Sequence, residues 1–186
     1  LFIFYPKSES HLYYSIFTFF ASVICFYPLL LMKSTDIGVK VRDLRIMLFA
    51  IVLVTIFGLR FLYSVFYEKL PRIFWFWAVA GIATGISAWN GPMTRIFVYC
   101  VLVFVENFRV LIRAIAQRKP SAWLIAVGSG AFILATTAQM LMEAGYLPLV
   151  SEKLYIHGLF VMLVLMSVYL ARTHAQDKKD LERQLA

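Results

Sequence analysis

The residue types that could bind a metal or act as a nucleophile are few and scattered in this sequence. The three histidines, His11, His157 and His174, lie far apart, and no H-x-x-x-H spacing occurs. Cys25 and Cys100 both lie inside apolar runs, which is not the pattern of a redox or metal motif. Neither a Ser/His/Asp arrangement nor a G-x-x-x-x-G-K-S/T loop is apparent. We therefore expect no catalytic residue, no metal site and no cofactor in these residues.

Charged residues inside apolar runs are more informative. Counted inward from Arg45, Arg60 lies about two-thirds of the way across an apolar segment, and a charge at the bilayer centre costs roughly 2.5–3.5 kcal/mol. Glu106, Arg109 and Arg113 recur at spacings of three and four residues, so they share one face of a helix. A carboxylate without water nearby needs a cation or a proton. Arg109 and Arg60 are the candidate cations.

These positions predict a polar cluster of Arg60, Glu106 and Arg109 inside the membrane, with Asn107 or Gln139 as further candidates. Such a cluster would stabilise one packing of the helices. Two interpretations stay open: the ion pair is purely structural, or it is an element that switches between two packings. Arg60 also has a simpler explanation, in which its long side chain reaches the nearer headgroup layer.

The elements that carry these side chains are predicted from where the charges fall. Of 186 residues, 62% are hydrophobic and only 15% are charged, and the mean hydropathy is +0.80, so there is too little polar surface for a water-soluble core. Six mostly apolar windows are each long enough to cross about 30 Å of hydrocarbon as a helix. They cover residues 10–32, 46–67, 73–94, 93–116, 120–142 and 154–171. We predict an all-α polytopic bundle of six complete spans, preceded by the end of a first span in residues 1–5.

Small and aromatic residues have regular places in these windows. Gly81 and Gly85 give one span a small-xxx-small face, which predicts either close packing inside the bundle or homodimerisation. Gly128 and Gly130 give a later span a similar face. The tryptophans and most tyrosines, Tyr63 among them, lie near span ends, where aromatic belts are expected.

The distribution of basic residues predicts the orientation. Lysines and arginines are more numerous on the side of the C-terminus, which predicts that this end lies in the cytoplasm. The basic segment 33–45 is an exception, because it falls on the outer side. Basic loops beside anionic headgroups also explain the net charge of +8, so no nucleic-acid partner is needed.

Several stretches resemble the membrane domain of the bacterial seven-transmembrane receptors with diverse intracellular signalling modules (7TMR-DISM). Residues 1–17 combine an aromatic helix end, a short charged loop and a Leu-Tyr-Tyr helix start, which is similar to the family's first turn. Residues 60–72 resemble its Phe-rich exit from the third span. The best likeness lies in residues 118–123, 144–148 and 167–172, which border the sixth and seventh spans.

The resemblance implies a receptor-type domain over residues 1–172 whose first span is truncated. In that family an extracytoplasmic ligand-binding domain usually precedes the spans. A histidine kinase, nucleotide cyclase, diguanylate cyclase or phosphatase follows them, in a protein that would be a homodimer. The fragment itself would relay a signal and catalyse nothing.

Residues 173–186 are predicted to continue the last span as a polar helix, since they contain no Pro or Gly. Two interpretations compete: a solvated helix end, or a linker that passes a small movement to an output enzyme within a dimer. The second rests on positions that fall at heptad a and d spacings, and two heptads are few. They are Ala171, His174, Lys178, Leu181 and Leu185.

A small-solute or proton-coupled transporter is the alternative from a different class, since Arg60 and Glu106 could line a proton path. The sequence shows neither inverted repeats nor helices broken at mid-membrane. A retinal protein is excluded, because the last span has only Lys153, at its outer edge, to form a Schiff base.

Overall fold

The computed structural model describes residues 9–33, 36–67, 69–89, 91–92, 94–119, 122–143, 146, 148 and 153–185. Throughout this described part the regular structure is helical, with one helix over each of the six predicted windows. The helices are α1 (Glu9–Lys33), α2 (Ile37–Phe66), α3 (Ile73–Trp89), α4 (Thr94–Ala116), α5 (Ala122–Glu143) and α6 (Leu154–Leu185).

Within the described residues, four helices are long and apolar enough to cross a membrane, over Ser10–Tyr27, Gly38–Phe66, Ala122–Gln139 and Leu154–Thr173. The other two differ in length or charge: α3 has 17 residues, and α4 includes Arg95, Glu106, Arg109 and Arg113. The protein is therefore an all-helical integral membrane protein, and six complete spans stay a prediction. The predicted first-span remnant, residues 1–5, lies outside the described residues.

The chain divides into two compact units, Leu1–Arg113 and Ala114–Ala186. In the first, α1 packs on α2 and α2 on α3. Gly58 lets α1 come close, since a Cβ there would be 3.2 Å from the Phe17 ring. Residues of α2 form the centre of this core, where Leu59 and Phe61 are fully buried. Burial of large side chains against α1 and α3 thus fixes α2.

The second unit is a hairpin in which α5 packs on α6. Two glycines allow the helices to approach closely: a Cβ on Gly128 would be 3.1 Å from the Met162 Cα, and one on Gly158 would be 2.9 Å from the Phe132 Cα. Gly130, by contrast, faces open space. Because backbone atoms limit the separation, this contact requires glycine at positions 128 and 158.

Two helix ends show how local sequence sets the boundaries. The Asp36 side chain accepts a 2.7 Å hydrogen bond from the Gly38 amide and so caps α2. After α4, the amides of Arg118 and Lys119 donate to the carbonyls of Ile115 and Ala114, at 2.8 and 3.0 Å. This is the Schellman pattern, and Arg118 takes the left-handed position with φ 52° that glycine usually occupies.

Large apolar side chains cover the outer faces of α3 and α4. Such surfaces are rare on soluble monomers and suit contact with lipid. The most exposed of them are Trp75, Phe76, Val79, Ile86, Val98, Val105 and Ile112.

Candidate functional site

The polar site of the first unit is built around Glu106, a carboxylate in an otherwise apolar part of α4 that is only 6% exposed. The Arg109 guanidinium, one turn further on, donates from Nε to Oε2 at 2.7 Å and from Nη2 to Oε1 at 2.6 Å. This two-pronged contact neutralises both charges and orients the carboxylate. About half of the Arg109 side chain remains exposed.

Tyr63 of α2 completes the site. Its hydroxyl donates a hydrogen bond to Oε1 of Glu106, and its side chain is fully buried. The sequence pattern predicts an aromatic-belt position for Tyr63, which stays a prediction, and the structure shows that its ring is buried among the helices of the first unit. Nothing in the sequence connects Tyr63 with Glu106, because 43 residues separate them.

The structure places Arg60 outside this ion pair. The Arg60 Nη2 donates to the Tyr13 hydroxyl at 3.0 Å, and its guanidinium lies 4.4 Å from the centre of the Tyr13 ring and 5.6 Å from that of Phe74. Positions three apart on a helix differ by about 60° around its axis, so Arg60 contacts α1 while Tyr63 reaches α4. The Phe74 ring also makes an edge contact with Tyr63, at 6.2 Å between centroids, and so joins the two arginine sites.

The two further candidates have different positions. The Asn107 side-chain oxygen is buried and has no hydrogen-bond partner in the described part of the chain. Gln139 lies in the second unit, where its Oε1 accepts from the Leu154 amide at 3.0 Å. Gln139 therefore satisfies one of the free amides at the start of α6, which ties the two helices of the hairpin together.

Gly81 and Gly85 face other helices of the first unit. A Cβ on Gly81 would collide with the Tyr99 ring and approach the Ile56 Cδ1 at 2.9 Å, while one on Gly85 would be 3.1 Å from the Phe49 ring. The Tyr99 hydroxyl also donates to the Trp77 carbonyl at 3.0 Å. This small face of α3 is therefore occupied within the chain by α2 and α4.

The residues predicted for the signalling helix all lie in α6, which continues without a break through Arg172. Ala171 is exposed. The side chains of His174, Lys178, Leu181 and Leu185 lie outside the described residues, so their heptad spacing stays a prediction.

The chemistry that this arrangement offers is electrostatic. Over the described residues, no three His, Cys, Asp or Glu side chains come close enough to hold a metal ion. The Tyr63–Glu106–Arg109 contacts instead link α2 to α4 through charged hydrogen bonds, which are stronger in apolar surroundings than in water. A bond of this kind is either made or broken. It can therefore stabilise one arrangement of the helices relative to an alternative arrangement.

Comparison with known proteins connects this architecture to a family. The family model for 7TM diverse intracellular signalling domains (7TMR-DISM_7TM) matches residues 1–172. Neither the curated proteins nor the solved structures contain a match. Because the match covers most of the chain, the protein belongs to the 7TMR-DISM family of membrane domains of transmembrane signalling receptors.

Proposed function

We propose that this chain is the membrane relay of a bacterial receptor, which converts an extracytoplasmic binding event into a movement of α6. An extracytoplasmic sensor domain would precede it. A histidine kinase, nucleotide cyclase, diguanylate cyclase or phosphatase would follow it in the cytoplasm. The chain itself would catalyse nothing and would cross the inner membrane in six complete spans.

The observation that carries the proposal is the continuity of α6. Its 32 residues correspond to about 48 Å of helix, of which a bilayer core occupies about 30 Å. The apolar part ends near Thr173, and the polar part continues to Leu185. A single helix that leaves the membrane in this way can carry a rotation or a shift to an attached domain.

The experiment is an insertion series in α6 of the full-length receptor, between Ala175 and Gln176. Each added residue turns the helix by about 100°, so two residues reverse its face and seven nearly restore it. We expect ligand control of the output enzyme to be lost with two residues and recovered with seven. If ligand control of the output enzyme did not depend on the number of inserted residues, the relay through α6 would be excluded.

A dimer is part of the proposal and has its own test. Cysteines placed at Leu181 or Leu185 of the full-length receptor should crosslink between copies, and the yield should differ between ligand-free and ligand-bound membranes. If no crosslink forms in either state, the dimeric coiled coil is excluded.

Transport remains the second candidate, because Glu106 is a buried carboxylate in an apolar helix. Liposomes that contain the chain would show substrate- or proton-coupled flux, and Glu106→Gln would abolish it. The relay predicts no such flux.

A further inference from the structure

A groove opens between α2 and α3, at the end where α2 begins and α3 ends. Its volume is about 350 Å³, and Phe49, Gly85, Ile86 and Trp89 line it. A small recess beside it adds Arg45. We refer to this feature, defined by these five residues, as the α2–α3 groove. Its volume lies within the range of small-molecule sites.

The groove exists because Gly85 has no side chain. A Cβ at this position would be 3.1 Å from the Phe49 ring, so even alanine would press against the ring that forms the floor. Ile86 and Trp89 form the α3 wall and are 68% and 44% exposed. All of these surfaces are apolar, apart from the indole N–H of Trp89.

The mouth of the groove carries a positive charge. The Arg45 guanidinium lies 5.8 Å from the centre of the Trp89 ring, within the range of a cation–π contact. No carboxylate forms an ion pair with Arg45 among the described residues, whereas its neighbour Arg42 lies 3.4 Å from Asp43. Arg45 is thus available for an outside anion.

The groove is charged at its mouth and apolar further in, which matches a molecule with a charged head and an apolar tail. Phe49 lies one turn deeper than Arg45 on α2, and Gly85 lies one turn deeper than Trp89 on α3, which is about 6 Å in each case. If the membrane-spanning part of α2 begins after Arg45, as the charge pattern predicts, this cation lies at the headgroup level beside an apolar groove that extends toward the bilayer core. A soluble anion would leave the apolar groove unused. A lipid without a phosphate would give Arg45 no anionic partner, and in a zwitterionic phospholipid the ammonium of the headgroup offsets the phosphate charge.

We propose that the α2–α3 groove binds a phospholipid with a net anionic headgroup, whose phosphate pairs with Arg45 and whose acyl chain lies on Phe49, Gly85 and Ile86. The occupant is chosen by charge complementarity at the mouth and by the apolar floor. This site is independent of the relay proposed above, since it concerns binding and not signalling.

The test uses Trp89 as the reporter. In the full chain with Trp75, Trp77 and Trp123 changed to Phe, Trp89 fluorescence is quenched by lipids brominated on the acyl chain. Phosphatidylglycerol and phosphatidylcholine are compared as brominated probes in phosphatidylcholine vesicles. We expect half-maximal quenching at an about fivefold lower mole fraction of phosphatidylglycerol, which is the preference that one basic residue gives at an anionic surface.

Two charge-matched variants decide whether the preference is local. Arg45→Gln should remove it, while Arg42→Gln, which removes the same charge one turn away, should retain most of it. Arg45→Lys should preserve it, and circular dichroism checks that each variant is folded. Equal losses in Arg45→Gln and Arg42→Gln would mean diffuse attraction to the surface and would overturn the site. So would a parent protein without the preference, or an Arg45→Gln variant that keeps it.

Discussion

A buried carboxylate in a membrane helix needs partners, and Glu106 obtains them from one residue of its own helix and one of another. Arg109 could be found from the sequence, because it lies one turn away. Tyr63 could not, since 43 residues separate it from Glu106 and only the packing of α2 against α4 brings them together. The pairing of Arg60 with Tyr13 could not be predicted either, because 47 residues separate them and only the packing of α1 on α2 brings them together.

Breaking the contact between Tyr63 and Glu106 from either side should destabilise the first unit. We expect Tyr63→Phe and Glu106→Gln each to cost about 1–3 kcal/mol, the usual effect of breaking a buried hydrogen bond to a charged group. We expect the loss of stability in Glu106→Gln to lie near the lower end of this range, because its partner Arg109 is half exposed and solvent screens the ion pair. Thermal unfolding in detergent micelles measures both, and Arg113→Gln, at an exposed site one turn on, is the control.

The double variant tests whether the two residues act together. If the hydroxyl and the carboxylate form one unit, the effects of Tyr63→Phe and Glu106→Gln should be less than additive, with a coupling of about 0.5–3 kcal/mol. Strict additivity would show that the contact contributes nothing of its own.

Arg118 offers a second residue-level prediction. A non-glycine residue at φ 52° costs roughly 1–2 kcal/mol, so Arg118→Gly should stabilise the second unit by about 1 kcal/mol. Lys119→Gly, which removes the same charge at the next position, should give no gain. An unchanged or lower melting temperature for Arg118→Gly would argue against the left-handed helix end.

At the scale of elements, charge positions located the six helices but misjudged their ends. The predicted window starts at residue 46, directly after Arg45. The helix α2 itself begins nine residues earlier, at Ile37, where Asp36 is the N-cap. Arginines such as Arg42 and Arg45 limit the apolar span without ending a helix, because they are good helix formers. At the other end of the chain α6 continues past Arg172, as the absence of Pro and Gly after it predicted.

The glycines of the α5–α6 hairpin give a matched pair of substitutions. Gly158→Ala would bring a Cβ to 2.9 Å from the Phe132 Cα, and a backbone atom cannot move aside as a side chain can. Gly130→Ala meets open space and gains helix propensity, worth up to about 1 kcal/mol. We expect a clear loss of thermal stability for the first and a small gain for the second. Equal behaviour of the two variants would contradict the close approach of α5 and α6.

At the scale of the whole molecule, the next property to measure is the orientation of the chain in the membrane. In a background with Cys25→Ser and Cys100→Ser, single cysteines at two exposed lysines report it directly. We expect Lys40→Cys to react with an impermeant maleimide on intact spheroplasts, and Lys69→Cys to react only after the membrane is opened. In a bundle of seven spans the C-terminus lies on the same side as Lys69. The reverse labelling pattern would therefore place the C-terminus outside the cell and would contradict the proposed relay.

The pairing of Glu106 with a residue of its own helix has a consequence for how the protein is made. An acid and a base three residues apart can meet as soon as α4 forms, without a contribution from any other helix. The two charges can then leave the insertion machinery together as a neutral pair, at a lower cost than two separate ions. The same carboxylate that offsets the charge of Arg109 during insertion also accepts the hydrogen bond of Tyr63, which fixes α4 beside α2.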